Sequence, residues 1–226
     1  SATARSATAE GVPADGTLRA TGRVMALRAI LGGTFDPVHV GHLHGARAVR
    51  RELGLDSVTL VLSARPPHRS AVASAEDRWR MLQLAAAEDA GIEASDLELQ
   101  RRGPSYSIDT IEAFRARGET VVWILGSDGL DAFRTWHEYE AFAAACHLAV
   151  LPRPPAAVTV LPGFRATGDA AALARQAAGL LFLARTPMLD ISATRVRTSI
   201  AASEDASGLL TPAVWNYIRQ RGFYGG

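Results

Sequence analysis

The segment from Leu31 to His42 reads LGGTFDPVHVGH, and its place between two apolar patterns decides the fold of this chain. A short apolar run, Met25 to Leu31, precedes it and predicts a buried strand, while Leu43 to Leu53 follows with a helical pattern. Glycines at the strand exit let the backbone approach a ligand closely. His39 and His42 stand where the helix begins, and free N–H groups and the helix dipole favour anions there. We therefore expect a polyphosphate site at this corner.

The composition is that of an ordinary globular protein. Its 226 residues allow one large α/β domain, alone or with a small appendage, and 48% of them are hydrophobic. A net charge of +1 gives no general case for nucleic acid or a membrane surface as partner, so any anion site must be built locally. No apolar run approaches the roughly eighteen residues of a membrane span. The single cysteine, Cys146, predicts a buried small side chain and fits a reducing, cytoplasmic compartment.

The first residues differ in composition from the rest of the chain. Ser1 to Arg23 is rich in small and polar residues and has almost no large apolar side chain, so it cannot bury enough surface to offset its ordering entropy. We expect a flexible extension over residues 1–24 and one domain over residues 25–226. Met25 is a candidate for the true start of the protein.

Beyond Met25, apolar runs alternate with helical patterns. Strands are predicted at residues 26–31, 57–63, 95–99, 120–125, 147–151 and 180–184, and helices at 43–53, 76–90, 107–117, 192–202 and 212–219. Strands separated by about ten to fifteen helical residues predict a Rossmann-like α/β fold, a parallel sheet with helices on both faces. Ligands of such sheets bind beyond the carboxyl ends of the strands. Polar clusters fall at or near those ends, at residues 32–42, 66–69, 103–109, 126–137 and 190–197.

A second pattern, ISATRVR, occupies Ile191 to Arg197. Ser192 is a candidate helix N-cap and Thr194 lies in the first turn, so hydroxyls and free amides would face one anion. Residues 39–42 read HVGH and form an HxGH pattern. Together, the two segments resemble the HxGH and ISxTxxR signatures of the adenylyltransferase branch of the nucleotidyltransferase superfamily. Arg197 matches the arginine of that signature, whereas Arg195 falls at a variable place.

The resemblance implies transfer of the adenylyl group of ATP to a phosphate acceptor, with Mg²⁺ bound mainly through the ATP phosphates. It implies catalytic roles for His39, His42 and Arg197. The ATP-binding residues that it implies are Gly32, Gly33, Thr34, Phe35, His39, His42, Gly126, Asp128, Ile191, Ser192, Thr194 and Arg197. The acceptor phosphate is already anionic at neutral pH, so the reaction needs alignment and charge stabilisation rather than a general base.

Four further segments resemble the bacterial nicotinate-nucleotide adenylyltransferases. They read PPHR at residues 66–69, GPSYSIDT at 103–110, GSDGL at 126–130 and FRTWH at 133–137. In that family the tryptophan stacks on the pyridine ring, and backbone N–H groups hold the carboxylate. The residues implied for acceptor binding are His68, Arg69, Tyr106, Ser107, Asp109, Trp136 and His137. Ser107 replaces the usual threonine, and His137 occupies a position that is often aromatic. The implied substrates are ATP and nicotinate mononucleotide.

Other functions stay open at this point. Within the superfamily, the acceptor could be nicotinamide mononucleotide, phosphopantetheine or a flavin nucleotide. A class I aminoacyl-tRNA synthetase also carries an HxGH-type motif, but this chain contains no lysine and hence no KMSKS-like partner motif. A non-catalytic nucleotide-binding module is a further alternative, while the lack of G-x-G-x-x-G after the first strand disfavours a dehydrogenase. The sequence does not predict an oligomeric state.

Overall fold

The computed structural model of this chain describes residues 26–67, 70–153 and 158–225. The predicted extension at residues 1–24 lies outside the described residues. So do His68 and Arg69, which the sequence predicts as acceptor-binding residues.

Seven parallel strands form one sheet in the described part of the chain. They are β1 (Leu27–Gly33), β2 (Val58–Leu62), β3 (Ile92–Ser95), β4 (Thr120–Gly126), β5 (His147–Leu151), β6 (Arg165–Thr167) and β7 (Leu180–Leu183). Their order across the sheet is β3-β2-β1-β4-β5-β7-β6. This is the predicted Rossmann-like parallel arrangement.

Helices cover both faces of the sheet. They are α1 (Val40–Leu53), α2 (Ala75–Ala87), α3 (Leu97–Gln100), α4 (Ser107–Arg115), α5 (Ser127–Asp131), α6 (Phe142–Ala145), α7 (Ala170–Leu173), α8 (Ala193–Ala201) and α9 (Pro212–Arg221). None of the helices in the described ranges combines the length and hydropathy that crossing a bilayer requires.

Alternating side chains divide the interior into two cores, as β4 illustrates. Val122 and Ile124 join a core with α1, α2, α8 and α9, whereas Trp123 and Leu125 join a second core with α4 and α6. Both faces of the strand are apolar because a parallel sheet is covered on both sides. Cys146 lies fully buried in the second core, where burial raises the pKa of its thiol, as expected for an inert small side chain.

The strand order places a crevice beyond the carboxyl ends of β1 and β4. β2 and β3 lie on one side of β1, and the remaining strands extend from β4 on the other side. The chain therefore reverses its direction across the sheet between these two strands, and ligands of open α/β sheets bind at such a point. Gly33 ends β1 and Gly126 ends β4, so two of the predicted polar clusters open into the same crevice.

The prediction of a strand at residues 95–99 is wrong. Ser95 ends β3, and the next residues form the short helix α3. The alternation of Leu97 and Leu99 resembles a strand, yet both leucines are only partly buried, and Glu98 between them is the buried residue. The remaining predicted strands and helices lie within about three residues of the observed bounds, but β6 and the short helices α5, α6 and α7 carried no sequence signal that we recognised.

Candidate active site

Glycine is required where β1 ends because aromatic rings occupy the space beside the backbone. A Cβ atom on Gly32 would lie 2.5 Å from Cζ2 of Trp123, and one on Gly33 would lie 3.0 Å from the ring of Phe35. Gly32, Gly33 and Thr34, which the resemblance implies as ATP-binding residues, line a cavity beyond the carboxyl end of β1. The side chain of Phe35, also implied for ATP binding, is buried in the core.

The two histidines of the HxGH pattern form one unit at the start of α1. Their rings are stacked, with centroids 3.6 Å apart and an interplanar angle of 22°. The backbone N–H of His39 donates to Nδ1 of His42 at 3.2 Å, which leaves Nε2 of a neutral His42 as the N–H donor. A Cβ atom on Gly41 would lie 3.0 Å from Nδ1 of His39, so glycine between the histidines permits this stack.

Both imidazoles are neutral at pH 7. Burial, together with the positive charge of Arg153, lowers the pKa of His39 from 6.5 to about 4. Burial and the neighbouring His39 lower the pKa of His42 well below 6.5.

Nδ1 of His39 is buried and has no hydrogen-bond partner among the described residues. A buried polar atom left without a partner costs free energy of folding.

The ISATRVR segment reaches this corner through Arg197. Ser192 caps α8, its hydroxyl accepting the backbone N–H of Arg195 at 3.1 Å. Nη1 of Arg197 donates to the backbone carbonyl of Asp36 at 2.6 Å, and Nη2 donates to the hydroxyl of Thr194 at 3.2 Å. The structure thus brings the two separate sequence patterns together at the carboxyl end of β1.

Ile191, the remaining residue of this pattern that we predicted to bind ATP, lies beside α1. Its Cβ atom is 3.4 Å from the position that a Cβ on Gly41 would take. Ser192 and Thr194 are exposed at the start of α8, where their hydroxyls are accessible to a ligand.

The third wall of the corner comes from β4 and β5. A Cβ atom on Gly126 would collide with the carboxylate of Asp128 and the sulfur of Met188, so both pack directly on this backbone. The Asp128 carboxylate is largely exposed and lies 4.0 Å from Nε of Arg153. Nη1 of Arg153 lies 3.9 Å from Oδ1 of Asp190. The backbone N–H of Arg153 donates to Ser127 Oγ at 2.9 Å.

Arg153 is a site residue that sequence reasoning missed. Its position two residues after β5 ends was the available signal, because the carboxyl ends of the strands meet at this edge.

A cavity of about 380 Å³ begins at Gly32, Gly33 and Thr34 and extends towards α4 and the segment after α5. Its lining includes Ser63, Pro66, Pro67, Glu98, Ser105, Tyr106, Ser107, Trp123, Thr135, Trp136, His137 and Phe142. Four of the predicted acceptor-binding residues, Tyr106, Ser107, Trp136 and His137, are therefore brought together here. The rings of Tyr106 and His137 stack at 4.0 Å, and Trp136 packs against Phe133 at 5.1 Å.

Asp109, also predicted to bind the acceptor, does not line this cavity. Its carboxylate is about half exposed and lies 4.0 Å from Nη2 of Arg101.

Glu98 is a cavity residue that the sequence did not reveal, because we placed it in a strand. Its side chain is buried, and Oε1 accepts the hydroxyl of Thr110 at 2.5 Å. Oε2 has no hydrogen-bond partner among the described residues, and burial raises the pKa of this carboxyl. Thr110 lies in the first turns of α4, so Glu98 fixes the helix start that carries Tyr106 and Ser107 to the cavity.

A buried arginine supports the loops around this site. The guanidinium of Arg78 donates to the backbone carbonyls of Thr34, Ser63, Ala64 and Ala73 at 2.8 to 3.2 Å. Burial lowers the pKa of Arg78, and the nearby Asp36 carboxylate opposes that effect. The charge of Arg78 thus ties the ends of β1 and β2 to the segment that precedes α2.

Comparison with known proteins is consistent with this geometry. A family model described as cytidylyltransferase-like matches residues 30–199. Two curated relatives named probable nicotinate-nucleotide adenylyltransferase are each 40% identical to this chain. The match to the relative from Aeromonas salmonicida covers 86% of this chain and 95% of the relative. The match to the relative from Serratia proteamaculans covers 88% of this chain and 95% of the relative. The chain belongs to the nicotinate-nucleotide adenylyltransferase family.

The family fold is also seen in solved structures. A Plasmodium falciparum nicotinic acid mononucleotide adenylyltransferase complexed with NaAD matches with a TM-score of 0.67 and 18% identity. The match covers 88% of this chain and 97% of that one. A second structure of the Plasmodium falciparum protein, complexed with APC, matches with a TM-score of 0.65 and 17% identity over 88% of this chain and 97% of that one. At these identities the likeness concerns the fold alone.

Proposed function

We propose that this protein transfers the adenylyl group of ATP to nicotinate mononucleotide, forming deamido-NAD and pyrophosphate. One observation carries the proposal: the stacked His39–His42 pair and Arg197 meet at one corner, and the cavity that opens beside them is lined by Tyr106 and Trp136. A phosphate-binding corner next to an aromatic pocket suits a reaction that joins ATP to a pyridine nucleotide.

The residues at the corner would act on charge and alignment. An oxygen of the acceptor phosphate attacks the α-phosphorus of ATP, a new P–O bond forms, and the bond to the departing pyrophosphate breaks. Negative charge grows on the non-bridging oxygens of the α-phosphate and on the leaving oxygen, and the neutral imidazoles of His39 and His42 would donate N–H groups to them. Arg197, Ser192 and Thr194 then hold the β- and γ-phosphates at the start of α8.

We further propose that Mg²⁺ enters with ATP. Within the described residues, no group of three His, Cys, Asp or Glu side chains is arranged to hold a metal ion. This suits Mg²⁺, which keeps several waters and binds nucleotides mainly through phosphate oxygens, neutralising part of their charge. The exposed carboxylates of Asp128 and Asp190 are the nearest acidic groups around Arg153.

The acceptor would occupy the 380 Å³ cavity. The indole of Trp136 offers a face for the pyridine ring, and the Ser107 hydroxyl with the backbone N–H groups at the start of α4 offers donors for the nicotinate carboxylate. Because His137 would act through its backbone N–H, an imidazole in place of the usual aromatic ring is compatible with this role.

The test is the rate of pyrophosphate release with ATP and Mg²⁺, measured in parallel for three acceptors. We expect a strong preference for nicotinate mononucleotide over nicotinamide mononucleotide and phosphopantetheine. Activity with another acceptor would overturn the assignment of the pocket around Trp136. No release with any of the three, from protein that still binds ATP, would overturn the proposed reaction and favour a nucleotide-binding module.

A further inference from the structure

Asp36 bonds to three segments that lie far from it in the sequence. Its carboxylate accepts the backbone N–H groups of Val72 at 2.6 Å and Ala73 at 3.1 Å, and the hydroxyl of Tyr224 at 2.7 Å. Its backbone carbonyl accepts Nη1 of Arg197 at 2.6 Å. Asp36 is itself buried and lies three residues before His39, so both phosphate-binding patterns depend on one residue.

Tyr224 is the contact that comes from the end of the described chain. Tyr224 is partly buried against the core that includes α9. Its hydroxyl donates a hydrogen bond to the carboxylate of Asp36. Burial and the Asp36 carboxylate raise the pKa of Tyr224, so its hydroxyl stays protonated and keeps donating. Its φ of +63° is a disfavoured backbone conformation, which persists where surrounding contacts determine it.

We propose that Tyr224 is a positioning residue for adenylyl transfer, because its hydroxyl fixes Asp36 and thereby sets the position of Arg197 relative to the His39–His42 pair. Tyr224 itself touches none of the reacting atoms in this account. The inference rests on the proposed function, since it assigns Tyr224 a role in that same reaction. A shift of about 1 Å between groups that stabilise a transition state is enough to lower turnover greatly.

The chain offers a matched control in Tyr217. The hydroxyl of Tyr217 donates to Asp77 at 2.8 Å, and Tyr217 lies in the same C-terminal region as Tyr224. Asp77 belongs to α2, and within the described part of the chain its carboxylate bonds to Ser74, Tyr217 and Arg221, which lie outside the phosphate-binding corner. Tyr217→Phe and Tyr224→Phe therefore each remove one hydroxyl that donates to a carboxylate, but only Tyr224→Phe disturbs Asp36.

The experiment measures kcat, KM and the melting temperature of both variants with ATP and nicotinate mononucleotide, at a temperature where circular dichroism shows both to be folded. Loss of a hydrogen bond to a charged group predicts a fall in kcat of about tenfold for Tyr224→Phe. The KM of the acceptor should stay unchanged. Tyr217→Phe should keep kcat within about twofold of wild type. Its melting temperature should fall by about as much as that of Tyr224→Phe, because each variant loses one hydrogen bond to a carboxylate.

Repeating the Tyr224→Phe substitution in an Arg197→Ala variant separates an effect on the position of Arg197 from a general loss of stability. In Arg197→Ala protein, adding Tyr224→Phe should change kcat by less than about twofold, because the group that Tyr224 positions is gone. An unchanged kcat for Tyr224→Phe, an equal loss for Tyr217→Phe, or an undiminished loss in the Arg197→Ala background would each overturn the inference. Failure of the proposed function is distinguishable, since the wild-type protein would then release no pyrophosphate.

Discussion

At the residue scale, the chemistry of the site depends on two imidazoles that are uncharged at neutral pH. Their stack at 3.6 Å would be unfavourable if both were protonated, and burial keeps the pKa of each low. Positive charge at the corner comes instead from Arg197 and Arg153. His42 would therefore act as a neutral N–H donor, and removing its ring tests this role.

We predict that His42→Ala lowers kcat by about a hundredfold or more, the range typical for loss of one donor to a developing oxyanion. Circular dichroism should show that the variant still folds, although loss of the stack on His39 and of the acceptor for the His39 backbone N–H lowers the melting temperature. His44→Ala is the matched control, since His44 lies on the same helix and contacts the carbonyl of Pro187 at 3.1 Å instead. Turnover of His42→Ala within a few-fold of that of His44→Ala would refute the assigned role.

At the element scale, the acceptor cavity lies between the start of α4 and the segment that follows α5. The sequence predicted α4 and the segment 133–137 as neighbours because each lies near the end of a strand. It did not predict that Tyr106 would stack on His137, since such a pairing joins residues about thirty positions apart and leaves no local periodicity. Glu98 was missed because its segment was predicted as a strand, and its bond to Thr110 depends on the short helix that forms there instead.

For Trp136→Ala we expect a KM for nicotinate mononucleotide at least about tenfold higher, because stacking of an aromatic ring contributes roughly 1–3 kcal/mol. The KM for ATP should stay within about twofold, since His39, His42 and Arg197 do not line the cavity that contains Trp136. Steady-state kinetics with each substrate varied in turn measures both. Trp215→Ala, a change in α9 away from the cavity, serves as the control. A change confined to the KM of ATP would contradict the pocket assignment.

At the scale of the whole molecule, the fold and the main site patterns follow from the sequence, while the network that supports them does not. The HxGH and ISATRVR patterns meet at the carboxyl end of β1, the edge of a parallel sheet where ligands bind. The strand at His147–Leu151 has the predicted bounds. Asp36, Arg78 and Tyr224 could not be linked in advance, because each bond joins segments that only the tertiary structure brings together. Buried polar networks of this kind depend on geometry rather than on periodicity.

Stability of the whole protein should fall as the pH drops from about 6.5 to about 4, the interval between the unfolded and folded pKa values of His39. In this range the unfolded chain binds a proton that the folded protein excludes, so the free energy of unfolding decreases with falling pH. For His39 alone the loss is at most about 3 kcal/mol, and His42 adds in the same direction. Urea unfolding at a series of pH values measures it. His39→Asn should flatten this dependence, and an equally steep loss in that variant would contradict the explanation.

The most direct measurement of the central claim follows the fate of the α-phosphorus of ATP. With ATP radiolabelled at the α-phosphate and nicotinate mononucleotide as acceptor, the account predicts that the label appears in the dinucleotide product, whereas a γ-phosphate label leaves in pyrophosphate. A γ-label on the acceptor, or an α-label that remains in ATP while the protein binds both substrates, would contradict adenylyl transfer at the corner formed by His39, His42 and Arg197.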